Sequence, residues 1–261
     1  MNKFLFDPSY HELWCRNSTD LLDRRTIPTP HHRLVENIFV ISNPSQVAAP
    51  TVVLPDVSPH IILYLYKNGK TRFRMIGPRS RAVFLTHTNR AKTIIFRFRP
   101  ASIEKLLLFP LQDCLNGSSQ LSEAFEKLFD QDELQQAIEE QHIEKLVYHV
   151  LAKLEESTPY GARKISGHIM NCHFLENRVG EVAKSLGISD RYLHKKVKEE
   201  TGLNPKMILK IKRLTAVLSM ANSWENLSYT QLALEAGYFD QSHMIDEFQQ
   251  FFSQTPAQLL S

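Results

Sequence analysis

The chain has 261 residues, 43% of them hydrophobic, and a formal net charge of +3, enough to build two modest folded units and too little net charge to name a partner. No apolar run of about eighteen residues occurs, and the opening "MNKFLFDPSYHELW" reaches Asp7 and Pro8 before a signal-like segment develops, so a cytoplasmic protein with no membrane span is expected. Cys15, Cys114 and Cys172 are odd in number, far apart and without metal-type spacing, so they read as reduced cysteines, with no metal and no cofactor implied.

Charge is distributed in blocks. From Val57 to Ile103 there are ten basic residues and no Asp or Glu; from Arg163 to Arg213, twelve basic and five acidic; from Leu214 to Ser261, five acidic and no Lys or Arg. An average over the whole chain hides all three.

In chain order, the first hundred residues predict strands. The runs "RLVENIFVIS", "HIILYLY", "KTRFRMI", "RAVFLTH" and "KTIIFRFR" are rich in β-branched and aromatic residues and are punctuated by Pro, Asn and Gly. Asn68-Gly69 in "YKNGK" predicts a hairpin with a tight primed turn and positive φ at both central residues. Residues 1–120 are therefore expected to form a β-sandwich or barrel.

After Pro100 the pattern turns helical, with "SIEKLLLF" stopped by Pro110, then Leu121 to Phe129 and Asp132 to Leu154. Leu134, Ile138, Ile143, Leu146, Val147, Val150, Leu151 and Leu154 form an apolar stripe suited either to packing under the sheet or to a dimer seam. Residues 121–161 read as a helical connector, closed by the linker-like "EESTPYG" at 155–161. Residues 162–261 are helical throughout. The expected architecture is α+β in two domains.

Within the last part "EVAKSLGISDRYLHKKVKEETG" is echoed by "QLALEAGYFDQSHMIDEFQQFFS". At an offset of fifty Val182 matches Leu232, Ala183 matches Ala233 and Gly187 matches Gly237; at fifty-one Leu193 matches Met244, Val197 matches Phe248, Gly202 matches Ser253 and Pro205 matches Pro256. Each copy has a short helix with a small Ala, a Gly turn and a longer helix, the spacing of a helix-turn-helix. Two copies, joined by a helical run from Pro205 to Ala221, make the pattern specific.

At these residues the chain resembles the AraC-type transcription regulators. The likeness covers about Ile165 to Leu260 and includes "VAKSLGISDRYL", "IKRLTAVLSM" with Arg213-Leu214, and "QTPAQLL". It implies a carboxy-terminal domain of seven helices with two helix-turn-helix units bridged by a long helix. "VVLPDVSPHIILYLY" and "IIFRFRPASIEKLL" resemble the amino-terminal β domain of one branch of these regulators, which implies a sensing or dimerising module. The implied function is sequence-specific binding of double-stranded DNA with transcriptional control and an RNA polymerase contact; a small-molecule or protein effector and a homodimer are open, and no enzymatic activity is expected.

Residue chemistry supports the first unit as a DNA reader. Ser189 is a natural N-cap, Leu193 and Val197 point inward, and Asp190, Arg191, His194, Lys195 and Lys198 are left outward on a helix suited to the major groove. The resemblance places Arg191, His194 and Lys195 at base-reading positions and Lys198 at phosphate. Lys210 and Arg213 on the bridging helix add candidate phosphate contacts.

The second unit keeps the apolar residues Leu232, Met244, Phe248 and Phe251 but loses the cations. Its outward residues are Gln241, Ser242, His243, Ile245, Asp246 and Gln249, of which Gln241, Ser242 and His243 can reach base edges. Relatives of this type often carry Arg where Asp246 stands and Gly where Ser253 stands; the acid should repel phosphate, and Ser at a left-handed position should cost about 1 kcal/mol. The alternative is that only the first unit binds DNA while the acidic second unit and the β domain meet protein partners.

His31, His32, His60 and His87 lack the closely spaced pair of a barrel metal site, and no G-x-S-x-G, Walker or Rossmann glycine pattern appears. Arg72 and Arg74 share one strand face, as do Arg97 and Arg99, opposite Phe73 and opposite Phe96 and Phe98. Either solvated strand faces or an anion- or effector-binding surface accounts for this block.

Overall fold

The computed structural model describes residues 4–7, 12–15, 23–27, 29, 33–42, 49–66, 68–87, 92–100, 102–103, 110–119, 129, 131–136, 142–157, 165–171, 179–223 and 228–260. Ten strands precede nine α-helices among these residues: β1 Phe4–Asp7, β2 Glu12–Cys15, β3 Asp23–Ile27, β4 Val35–Ser42, β5 Ala49–Val53, β6 His60–Leu65, β7 Thr71–Ile76, β8 Val83–His87, β9 Lys92–Phe98 and β10 Ser118–Ser119. All pair antiparallel, in a four-stranded sheet of order β1-β2-β5-β8 and a six-stranded sheet of order β10-β7-β6-β9-β4-β3. This is the β-rich amino-terminal region expected from the alternating runs.

The period of two decides which side chains meet. Ile61, Leu63 and Leu65 of β6, Ile94, Phe96 and Phe98 of β9, and Ile38 and Val40 of β4 lie in one buried cluster on one face of the larger sheet. Ile62, Ile95, Phe39 and Ile41 form a smaller cluster on the opposite face. Helices α1 Gln131–Gln136 and α2 Ile143–Ser157 follow. The stripe of Leu134, Ile143, Leu146, Val147, Val150, Leu151 and Leu154 belongs to the first of these clusters, so α2 spends that face within its own chain, packed under the sheet. Ile138, residues 104–109 and 121–128 of the helices expected at 102–109 and 121–129, and His31 and His32 lie outside the described residues.

Two local expectations need correction. The hairpin between β6 and β7 forms, with the Tyr66 N–H donating to the Lys70 carbonyl at 2.9 Å, but of Asn68 and Gly69 only Gly69 has positive φ, at 76°. Asn68 accepts from the Lys70 N–H at 3.1 Å through its side chain, so the turn uses one left-handed glycine and an Asn side-chain bond in place of a two-residue primed turn. The segment expected to be a linker from 155 begins as helix: Glu155, Glu156 and Ser157 complete α2. The Arg33 guanidinium donates to the Glu155 carbonyl at 2.5 Å, which ties that last turn to the β region.

Seven helices follow: α3 Ile165–Asn171, α4 Val179–Ser185, α5 Asp190–Thr201, α6 Pro205–Ser223, α7 Tyr229–Glu235, α8 Gln241–Phe252 and α9 Pro256–Leu260. Their core includes Val182, Ala183, Leu193, Val197, Leu232, Ala233, Met244 and Phe248, and it also takes in Val52, Leu54 and Val57 from the β region. The two regions share one apolar cluster.

Candidate nucleic-acid interface

Helices α4 and α5 form the first unit, α7 and α8 the second, and α6 bridges them. The matched positions of the two copies have matched environments. Val182 and Leu232 are buried, Ala183 and Ala233 are buried, and Leu193, Val197, Met244 and Phe248 are fully buried. Gly187 and Gly237, at φ 67° and 79°, make the two turns, and Gly202 and Ser253 cap the two longer helices in the left-handed region at φ 73° and 56°. A second unit with no Lys or Arg therefore still folds: what the copies share is the set of residues that packs and turns the chain.

The outward faces differ. Helix α5 begins at Ser189, whose hydroxyl accepts from the Tyr192 N–H at 3.2 Å. Arg191, His194, Lys195 and Lys198 are exposed on it. Lys195 is 70% exposed with the Glu199 carboxylate 3.9 Å away, while Lys196 donates to Glu199 at 2.7 Å. On the inward side Glu200 is buried and accepts from the Ile165 and Ser166 N–H groups at 3.2 and 2.7 Å, placing a carboxylate on the start of α3. Tyr192 is also 45% exposed; its place three residues before Lys195, one turn away on the same side of the helix, is the signal that marks it as outward.

Helix α8 begins at Asp240, whose carboxylate accepts from the His243 N–H at 2.8 Å. Ser242, His243, Asp246 and Gln249 are exposed, and Gln241 is half-buried and accepts from the Thr230 hydroxyl at 2.9 Å. No Lys or Arg stands on this helix.

The bridging helix is arranged differently from the expected phosphate contacts. Lys210 and Arg213 turn onto Glu247 of α8, which is 1% exposed, at 3.3 and 2.9 Å; their own side chains are 18% and 14% exposed. Lys210 also donates to Gln250 at 3.0 Å, His243 Nε2 lies 3.5 Å from the same Glu247 oxygen, and the Arg213 guanidinium stacks over Tyr238 at 5.2 Å. Burial first, and then the Glu247 charge, push the Tyr238 hydroxyl pKa well above its ordinary value. Glu247 escaped the sequence reading because it falls inside an apolar stripe between Met244 and Phe248. An acid among those positions, facing a helix that offers Lys210 and Arg213, was the available signal.

The four candidate arginines of the β region separate in the same way. Arg72 and Arg99 are exposed and Arg74 is half-buried, donating to the Ser118 hydroxyl at 3.1 Å. Arg97 does not lie on a surface with them. It is buried, donating to both oxygens of Asp56 at 2.9 Å each and to Glu36 at 2.6 Å. Burial works against its charge, but Asp56 and Glu36 outweigh that and hold its pKa above the ordinary arginine value. The carboxylates come from outside the acid-free block, which hid the pairing.

Residues 182–261 match the family described as Helix-turn-helix domain. Over 125 residues the chain is 27% identical to the HTH-type transcriptional activator RhaS of Pectobacterium carotovorum, spanning 44% of each protein, so it covers less than half the length of that relative. Among solved structures, the C-terminal domain of AraT, a response regulator from Geobacillus stearothermophilus, is 25% identical over 37% of this chain and 84% of that one, with a TM-score of 0.33. ToxT from Vibrio cholerae is 11% identical over 91% and 96% of the two chains, with a TM-score of 0.41. With two helix-turn-helix units of one build, joined by α6 and taken in together by the family match, residues 182–261 are similar to a helix-turn-helix domain.

Proposed function

We propose that the chain is a sequence-specific DNA-binding transcription regulator that enters the major groove mainly through α5. The observation that carries this reading is the exposed set of Arg191, His194, Lys195 and Lys198 on an N-capped twelve-residue helix whose other face is locked by Leu193 and Val197. Arg191, His194 and Lys195 read base edges, Lys198 meets phosphate, and the Ser189 end of the helix approaches the backbone. Gln241, Ser242 and His243 have a lesser part. Lys210 and Arg213 act by holding α8 and not by meeting phosphate. Residues 1–120 form the regulatory domain, 121–161 the connector and 162–261 the reading head. The protein works in the cytoplasm, as a regulator without a catalytic step. Selection of bound duplexes from a randomised pool by the full chain, followed by footprinting, tests the reading. One enriched motif protected over a major-groove face supports it, and retention of duplexes without any enrichment overturns it.

A second reading of the acidic unit has its own observation. Phe239 is 86% exposed and Leu234 55% exposed, next in the chain to the exposed acids Asp240 and Glu235, and Asp246 is exposed on the same unit. Exposed apolar residues on a unit whose charges are acidic suit a basic protein surface, such as one on RNA polymerase, better than they suit phosphate. Arg72, Arg74 and Arg99 remain as a surface for an acidic effector or partner, with Arg97 removed from it.

A further inference from the structure

Three loops of the β region converge on the helical domain. Residues 54–58 and 77–82 are joined by a reciprocal backbone pair, in which the Asp56 N–H donates to the Arg79 carbonyl at 3.0 Å and the Arg79 N–H to the Asp56 carbonyl at 2.7 Å. Residues 77–82 and 111–117 are joined by the Asn116 N–H to the Pro78 carbonyl at 2.9 Å, the Ser80 N–H to the Asn116 side-chain oxygen at 2.8 Å, and the Gly77 N–H to the Gly117 carbonyl at 3.2 Å. Gly77 lies so close that a Cβ there would collide with the Cys114 carbonyl. The loops therefore make one ledge.

This ledge meets the C-terminal ends of both recognition helices. The Ala82 N–H donates at 3.1 Å to the Phe251 carbonyl, one of the last-turn carbonyls of α8 that the helix itself cannot satisfy. At the end of α5 the left-handed cap Gly202 sits against Gln112 of the 111–114 turn, where a Cβ on the glycine would come within 3.0 Å of the Gln112 Cα. Between these two points Val52, Leu54 and Val57, all fully buried, join Val197, Phe248 and Phe251 in the shared core, with Ala82 and Leu115 packed against it. The ledge is anchored in the larger sheet by the bidentate Arg97–Asp56 pair, with His60 Nε2 at 3.4 Å from Asp56 and the Ser58 N–H donating to Asp56 at 3.0 Å.

We propose that this ledge is a working part of the reading head: it seats the ends of α5 and α8 against a common support, and Asp56 and Arg97 are positioning residues for DNA reading that touch no DNA. A buried, bidentate ion pair gives a loop one defined place where an apolar contact alone would tolerate sliding. Any change in the β region that moves β9 against residues 54–58 then reaches both recognition helices together, through the ledge.

The DNA arm of the test rests on the proposed function; the exchange arm does not. Hydrogen exchange is followed in the full chain for wild type, Asp56→Asn and Ala82→Pro, the last removing the donor to Phe251 without unbalancing a charge. Amides at 199–203 and 249–254 are compared with those of α6, and binding is measured on the duplex selected by wild type and on random duplex. The expected result is at least tenfold faster exchange at both helix ends, unchanged exchange in α6, and at least a fivefold loss in the ratio of selected to random binding. Unchanged exchange at the helix ends in Ala82→Pro overturns the proposal, as does faster exchange there with the binding ratio intact. If α6 also exchanges faster in a variant, Val57→Ala, which trims only the shared core, replaces it under the same criteria. Absence of selective binding by wild type overturns the DNA reading, while the exchange arm still decides whether the ledge holds the helix ends.

Discussion

Glu247 stands where an outward or apolar residue would be expected, and it draws Lys210, Arg213 and His243 to one oxygen. Removing the charge leaves Lys210 and Arg213 half in the protein with no anion, so Glu247→Gln should destabilise the domain by about 3 kcal/mol in urea unfolding. A loss below about 1 kcal/mol would mean that solvent already screens the cluster. Ser253 is the reverse case. It holds φ 56° as the cap of α8, a conformation that a Cβ disfavours and that Gly202 adopts freely at the matching position. Ser253→Gly should therefore stabilise by about 0.5 to 1 kcal/mol, read as a higher urea midpoint with an unchanged slope. Equal or lower stability would indicate that the Ser contacts outweigh its backbone strain.

Helices α5 and α8 show which properties of an element are written locally. Their lengths, caps and buried residues follow from the repeat itself, since Leu193 and Met244, or Gly187 and Gly237, answer to the same packing and turn requirements. Strands β4, β6, β7, β8 and β9 were legible for the same reason, through alternation, whereas β5, "APTVV", carries a Pro and too short an apolar run to announce itself. Strand β3, "DRRTI", was not, because its charges mask a strand whose pairing with β4 supplies the ladder. Nor was the engagement of Lys210, Arg213 and Arg97: spacing along a chain says which way a side chain points and not which distant carboxylate meets it. For the exposed cations the expectation is sharper. Lys195→Ala should cost about 1 to 3 kcal/mol on the selected duplex and relax preference at one base position, whereas Lys198→Ala should weaken all duplexes alike and flatten the salt slope by about 0.9. Asp246→Arg on α8 should raise affinity for random duplex, because it exchanges repulsion for a phosphate contact. No change in affinity or slope on either duplex would place α8 away from DNA and favour the protein-docking reading.

At the scale of the molecule, the shared core means that the β region and the carboxy-terminal helices should not unfold as separate units. Leu54 is fully buried and belongs to the cluster built by α3 to α9, not to the cluster beneath the larger sheet, and β1 lies against α6. Trimming Leu54 to Ala should then remove stabilisation from both regions at once, by about 2 to 5 kcal/mol. The sequence contains two tryptophans, Trp14 in β2 and Trp224, so Trp224→Phe leaves Trp14 as a reporter of the β region, while the far-UV helix signal reports largely on residues 165–260. In urea the two signals should share one midpoint in this background, and Leu54→Ala should move both down together. If the helix signal keeps its midpoint while only Trp14 emission shifts, the contact around Leu54 contributes little to the carboxy-terminal helices. Two well-separated midpoints in the parent protein would mean that the regions fold independently and meet only weakly, and a β region so loosely attached could not hold the ends of α5 and α8 in register.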